Sequence, residues 1–266
     1  RLLQGLHAND FAKSLITLLS IDNDFIQEEI SFKSGKYKLN GILQTPKIKN
    51  NKKIPVVIYL HGGTDRGMLG SPAIFEISNI LLKQGIAVFR FNFIGTDNSD
   101  GLLCDKTWDR FEDNFQQAVN LMKKDSRFSK IGAVGRSFGA TVIAANADSQ
   151  DIEAMVLHNP IFDEWYEFIH LLPEMSKDFM DNPGKKFLIL GTEKSEHIKG
   201  DYKFNSKIIK QFPMEKWKIM QALPKSNNIC VIQAENDPET TPEYAKILYN
   251  MARQPKAYHI IKNTTL

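Results

Sequence analysis

Cysteine is scarce in this chain, and no apolar run is long. Two cysteines in 266 residues, Cys104 and Cys230, cannot build a disulfide framework, and neither has a CxxC or histidine neighbour at zinc-ligand spacing. A reducing, cytoplasmic setting is therefore expected. Apolar stretches such as Ile16-Thr17-Leu18-Leu19 fall far short of the roughly 20 residues a membrane-spanning helix needs. An excess of one charge is missing too. The 34 Lys and Arg against 31 Asp and Glu leave +3, which argues against nucleic acid or an anionic membrane as partner. No internal repeat or low-complexity tract occurs. What is present is ordinary globular composition, 42% hydrophobic and 24% charged, enough for one large core.

The opening stretch carries apolar residues at Leu2, Leu3, Leu6, Phe11, Leu15, Ile16, Leu18 and Leu19, which predicts an N-terminal helical extension over 1–23, interrupted near Asn9-Asp10. His7, Asp10 and Lys13 break any secretory signal there. From Asp24 the pattern alternates strand and helix. Phe25–Phe32 and Tyr37–Leu43 flank Ser34-Gly35-Lys36 as a hairpin, and the β-branched run Ile54–Leu60 reads as a strand buried on both faces. A helix follows from about Pro72 to Gln84, then a strand over Ile86–Phe91. Trp108, Phe111, Phe115, Val119 and Met122 recur every three or four residues, an amphipathic helix with Thr107 as its cap. Strands at Ile131–Val134, Glu153–Leu157, Asn228–Gln233 and Ala257–Ile261, with helices at about Phe138–Ala147 and Pro242–Met251, complete the series. Such alternation predicts an α/β fold, a mainly parallel doubly wound sheet. The aromatic- and lysine-rich stretch 161–226 breaks the pattern and is too long for a loop, so it reads as a cap inserted into a core of 24–160 and 227–266. The chain stops five residues after its last strand, which predicts a missing C-terminal segment.

Two turns carry chemistry. Gly135-Arg136-Ser137-Phe138-Gly139 lies between a strand and a helix, where a sharp turn lifts a serine clear of the sheet and flanking glycines remove clashing side chains. A helix starting at Phe138 aims free N–H groups at that hydroxyl and favours negative charge beside it. The bland alternative is an ordinary βα turn with an exposed serine. His61-Gly62-Gly63-Thr64 follows another strand, and its glycines let the backbone approach a substrate. The N–H groups of Gly63 and Phe138 would then form a two-donor oxyanion hole. His61 itself reads as a brace for the loop.

With these turns the chain resembles the α/β-hydrolase family, and within it the cinnamoyl (feruloyl) esterases, relatives of the prolyl-oligopeptidase and dienelactone-hydrolase groups. The likeness runs from about Phe25 to the end. It includes Phe89–Gly95, Asn98-Ser99-Asp100-Gly101, Asn236-Asp237 after a late strand, and Ile198–Tyr202, which is similar to a substrate-covering insertion. Asp97 stands where that group has glycine, so a different loop shape is expected there. The resemblance implies Ser137 as nucleophile and Asp237 as triad acid, with Glu235 as competitor and a solvated loop acid as the plain alternative. The histidine stays open. A gap-free match puts it at Leu266, and of the six histidines only His259 follows Asp237, although it falls inside a strand. The base lies beyond Leu266, or the site is degenerate, or His259 or a cap histidine substitutes. Trp165, Tyr202 and Trp217 are candidates to line an acyl or aromatic pocket, or else form cap core. The expected activity is hydrolysis of a small acyl ester without metal or organic cofactor. A thioesterase or acyltransferase, a small peptidase, and an inactive binding scaffold are the rivals.

Overall fold

The computed structural model describes residues 25–47, 52–63, 67, 72–189, 203–237 and 240–264, so the extension expected over 1–23 lies outside the described residues. Gly35, at φ +57°, turns β1 (Phe25–Ser34) back onto β2 (Tyr37–Pro46), and the two pair antiparallel from Phe25↔Pro46 to Ser34↔Tyr37. β2 also pairs antiparallel with β4 (Ala87–Phe91). Beyond it the sheet is parallel, through β3 (Ile54–Leu60), β5 (Phe128–Arg136), β6 (Ala154–His158), β9 (Ile229–Ala234) and β10 (Lys256–Ile261). Among the described residues the order is β1-β2-β4-β3-β5-β6-β9-β10.

Parallel strands need both faces covered, and β4 shows how this chain does it: all five of its residues are buried. Arg90 points to one face, its guanidinium 4.9 Å from the Phe75 ring of α1 (Pro72–Lys83). Phe89 and Phe91 point to the other, where Phe91 meets Phe93 and Phe93 meets Phe111 of α2 (Trp108–Lys124). The apolar stripe of α2 is the one its spacing predicts, Trp108, Phe111, Phe115, Val119 and Met122 all being buried. Each such side chain stabilises the fold by about 2–3 kcal/mol. Thr107 occupies the cap position, but only its carbonyl works there, accepting from the N–H groups of Arg110 and Phe111; its hydroxyl makes no cap bond. α3 (Phe138–Ala145) is buried at seven of its eight positions, as its small residues allow, and packs on β5 and β6.

Between β6 and β9 stand α4 (Glu164–Leu171), α5 (Pro173–Asp181), the antiparallel pair β7 (Phe187–Ile189) and β8 (Lys203–Asn205), and α6 (Lys207–Ala222). Asp163 caps α4 by accepting from the Tyr166 N–H. α6 lies against α2 and α3, and its Ile208, Ile209, Phe212, Ile219 and Ala222 join the same hydrophobic core as the sheet. Lys216 pairs with Asp163 at 2.7 Å, Lys207 with Asp109 at 2.9 Å, and Lys218 with Glu112. Finally, α7 (Pro242–Met251) packs on β9 and β10. Among the described residues no helix is long and apolar enough to cross a membrane.

Candidate active site

The register of the parallel strands brings two turns side by side. Leu60, the last residue of β3, pairs with Gly135 of β5, so His61-Gly62-Gly63 leaves the sheet next to Arg136-Ser137. At Ser137 the chain reverses sharply, with φ +50° and ψ −119°, a conformation L-residues avoid. Four bonds hold the strain: the Ser137 N–H donates to the His158 carbonyl at 2.8 Å, and the Ser137 carbonyl accepts from the N–H groups of Ala140 and Thr141 and from the Thr141 hydroxyl at 3.3 Å. The flanking glycines are sterically required. A Cβ on Gly135 would stand 2.5 Å from the Gly139 backbone, and one on Gly139 would stand 2.5 Å from the Leu60 carbonyl oxygen. Ser137 itself is half-buried at the N-terminus of α3.

Gly63 adjoins Phe138: a Cβ built on it would lie 3.5 Å from the Phe138 Cβ. The Phe138 ring is wedged edge-on between Trp108 and Phe111, with centroids 4.6 and 4.7 Å away. His61 is fully buried beneath the loop. Its Nε2 accepts from the Phe93 N–H at 3.1 Å, which leaves the proton on Nδ1, 2.6 Å from the Gly62 carbonyl. Both nitrogens are thereby engaged in holding the glycine turn.

Asp237 follows β9 and is 8% exposed. Its carboxylate accepts from the Thr240 N–H at 3.2 Å, the Thr240 hydroxyl at 2.6 Å and the Asn159 side-chain amide. Asn159, just past β6, is fully buried at φ +46°, and its side-chain oxygen accepts from the Ala234 N–H. One amide thus ties the end of β6 to the loop carrying the acid. Glu235 is turned elsewhere, exposed and accepting from the Asn263 N–H. The chain leaving β10 runs beside this loop, where the Asn236 N–H donates to the Thr264 carbonyl at 3.0 Å.

The other candidates are placed differently. His259 sits mid-strand in β10, paired with Ile232 and exposed at the sheet edge. β6 and β9 separate its strand from the serine's, three interstrand steps or about 14 Å. A histidine side chain does not bridge that gap to hydrogen-bond reach. His158, by contrast, pairs with Arg136 beside the serine and feels Asp237. Burial, and then Arg136, hold its imidazole below the ordinary histidine range, with Asp237 pulling the other way. Its place at a strand end gave no sequence signal for that proximity. Trp217 lies on the outward face of α6 and is 56% exposed, far from the buried stripe of its helix. Trp165 packs against Phe168, Phe179 and Phe212 in an aromatic cluster between α4, α5 and α6. Tyr202, His7, His197 and Leu266 lie outside the described residues. Asp97 is at φ +45°, so its loop turns through the left-handed region that glycine enters most easily. Among the described residues no three His, Cys, Asp or Glu side chains group to hold a metal ion.

A family model described as the alpha/beta hydrolase fold matches residues 55–188, half of the chain. No curated protein matches in sequence. Solved structures do match in fold. Est1E from Butyrivibrio proteoclasticus, with ferulic acid bound, is 19% identical at a TM-score of 0.66, covering 89% of this chain and 90% of that one. The alpha/beta hydrolase GrgF from Penicillium sp. sh18 is 15% identical at 0.67, covering 90% and 91%. The acylaminoacyl peptidase of Pyrococcus horikoshii is 17% identical at 0.62, covering 94% of this chain but 38% of its own.

Proposed function

Because the chain belongs to the α/β-hydrolase fold family, we propose that it is a serine hydrolase that cleaves a carboxylic ester through an acyl-enzyme on Ser137. The observation that carries this reading is the strained corner at Ser137, a non-glycine residue at φ +50° heading a helix, with Gly63 against the next residue. Strain at a hydroxyl, held by four hydrogen bonds and two close-packed glycines, has no use in a plain connecting turn.

In the proposed reaction an imidazole takes the proton from Ser137 Oγ as the oxygen attacks the ester carbonyl. The carbonyl oxygen gathers negative charge and accepts from the N–H groups of Gly63 and Phe138. The alcohol leaves with the proton, and water, deprotonated by the same imidazole, releases the acid and restores the serine. Asp237 holds the imidazole tautomer and balances its charge. The loop leaving β10 lies against the Asp237 loop through the Asn236 N–H on the Thr264 carbonyl, while His259 stands three interstrand steps from the serine's strand, so the imidazole is not drawn from His259. The stretch from α4 through β8 then acts as the cap, and α6 as a core helix beneath its end, with Trp165 packed in the cap's aromatic cluster and Trp217 turned to solvent. Est1E binds an aromatic acid and the Pyrococcus protein is a peptidase, so an aryl ester, an acyl thioester and an aminoacyl amide form the deciding substrate panel.

The test uses the full-length protein. A fluorophosphonate is expected to label the wild type and not Ser137→Ala, and aryl-ester turnover is expected to fall by about 10³-fold or more in that variant. An unlabelled wild type without turnover would overturn the reading in favour of a binding scaffold.

A further inference from the structure

Lysine is rarely buried without a task, yet Lys106 is only 6% exposed. Its ammonium donates to the Gly63 carbonyl oxygen at 3.0 Å. We propose that Lys106 is a positioning residue for the oxyanion loop, holding the Gly63 carbonyl and so restraining the dihedral angles of a residue whose N–H, on the preceding peptide unit, meets the transition state; this rests on the ester-hydrolase reading above. Glycine has no side chain with which to hold its own dihedral angles, so a glycine donor needs an outside restraint. The ammonium supplies one from the carbonyl side.

The neighbouring residues strengthen the assignment. Two positions after Lys106, the Trp108 ring lies edge-on against Phe138, which carries the second proposed donor. A single three-residue segment, 106–108, therefore bears on both donor residues, and a Cβ on Gly63 would come within 3.5 Å of Phe138. The segment is itself well anchored. The Lys106 N–H donates to the Leu103 carbonyl, the Thr107 carbonyl accepts from two N–H groups of α2, and the Trp108 N–H donates to the Gln211 side chain of α6. A lysine hung from so fixed a support is a stiff strut. Its charge adds a second effect, because a cation in a water-poor pocket favours the anion that forms nearby.

The test compares Lys106→Met with the wild type on an aryl ester and on an arylboronic acid, whose adduct with the serine mimics the tetrahedral intermediate. Lys106→Met is expected to melt within a few degrees of wild type and keep KM within about threefold. Its kcat and its boronate affinity are expected to fall together by about 10- to 100-fold, with Lys106→Arg recovering part of the loss. Wild-type kcat and boronate affinity in Lys106→Met would overturn the assignment, as would a loss confined to KM. If the methionine variant does not fold, Lys106→Gln carries the same readouts with the same two outcomes. Fluorophosphonate labelling of the wild type separates the two claims. Failure to label removes the hydrolase reading, whereas a labelled, active wild type matched by Lys106→Met removes the lysine's role alone.

Discussion

Asp237 and Glu235 stand two positions apart on one loop, and their surroundings give them different work. Asp237 is buried and receives three hydrogen bonds, one of them from the side chain of Asn159; Glu235 is exposed and receives one from a backbone N–H. Asp237→Asn is accordingly expected to lower kcat by about 10⁴-fold with little change in melting, because the imidazole loses its tautomer control. Glu235→Gln and His259→Ala are expected to stay within about twofold of wild type in the same ester assay. Loss of activity in His259→Ala would return that residue to the site. Asp237 was singled out by its place after a late strand, but its hydrogen-bond partner Asn159 was not. Asn159 acts through a left-handed backbone and two side-chain bonds to a distant loop, none of which leaves a spacing pattern. Asp97 sits in the left-handed region at φ +45°, which aspartate tolerates better than most side chains.

At the scale of elements, α4 and α6 face each other across an acidic contact. Glu164 and Glu215 are 7% and 1% exposed, and neither carboxyl oxygen of either residue has a hydrogen-bond partner. Burial raises both above the ordinary glutamate range. Asp163 and Glu167 add to the effect at Glu164, and Glu164 and Glu112 at Glu215, while Lys218 opposes it there. The folded chain thus holds protons that the unfolded chain has shed above about pH 4.5. Stability from this contact is full below that value and declines as pH climbs toward the raised folded values. Melting temperature should fall between pH 5 and pH 9, because the folded chain binds more protons there than the unfolded one. Glu215→Gln should flatten that slope, as scanning calorimetry at several pH values would show; an unchanged slope would place the titrating group elsewhere. The strands and the long helix α2 were readable because burial imposes a strict period on them. Within 161–226 the alternation of strand and helix gives way, so α6 has no reading of its own from the sequence. Trp217 therefore reads as pocket or cap core, whereas it points to solvent.

Across the whole molecule, one chain of aromatic rings joins the antiparallel edge to the site. Phe32 meets Phe91 at 5.4 Å, Phe91 meets Phe93 at 5.2 Å, Phe93 meets Phe111 at 5.0 Å, and Phe111 meets Phe138 at 4.7 Å. Phe93 also stacks edge-on with His61, beneath the glycine turn. Phe111→Ala is expected to cost about 3–5 kcal/mol by urea titration and to lower kcat as well, since it frees the Phe138 ring. A variant that is destabilised but fully active would show that Trp108 alone suffices to seat that ring. The sheet order needed a fold in view, because sequence orders strands along the chain and not across the sheet. The corner at residue 137 has one more corollary, which concerns endurance and not turnover. Serine is kept in a backbone shape that glycine enters without steric conflict, so Ser137→Gly should relax this kink. The inert protein should then outlast the working one on heating, by about 1 kcal/mol in differential scanning calorimetry.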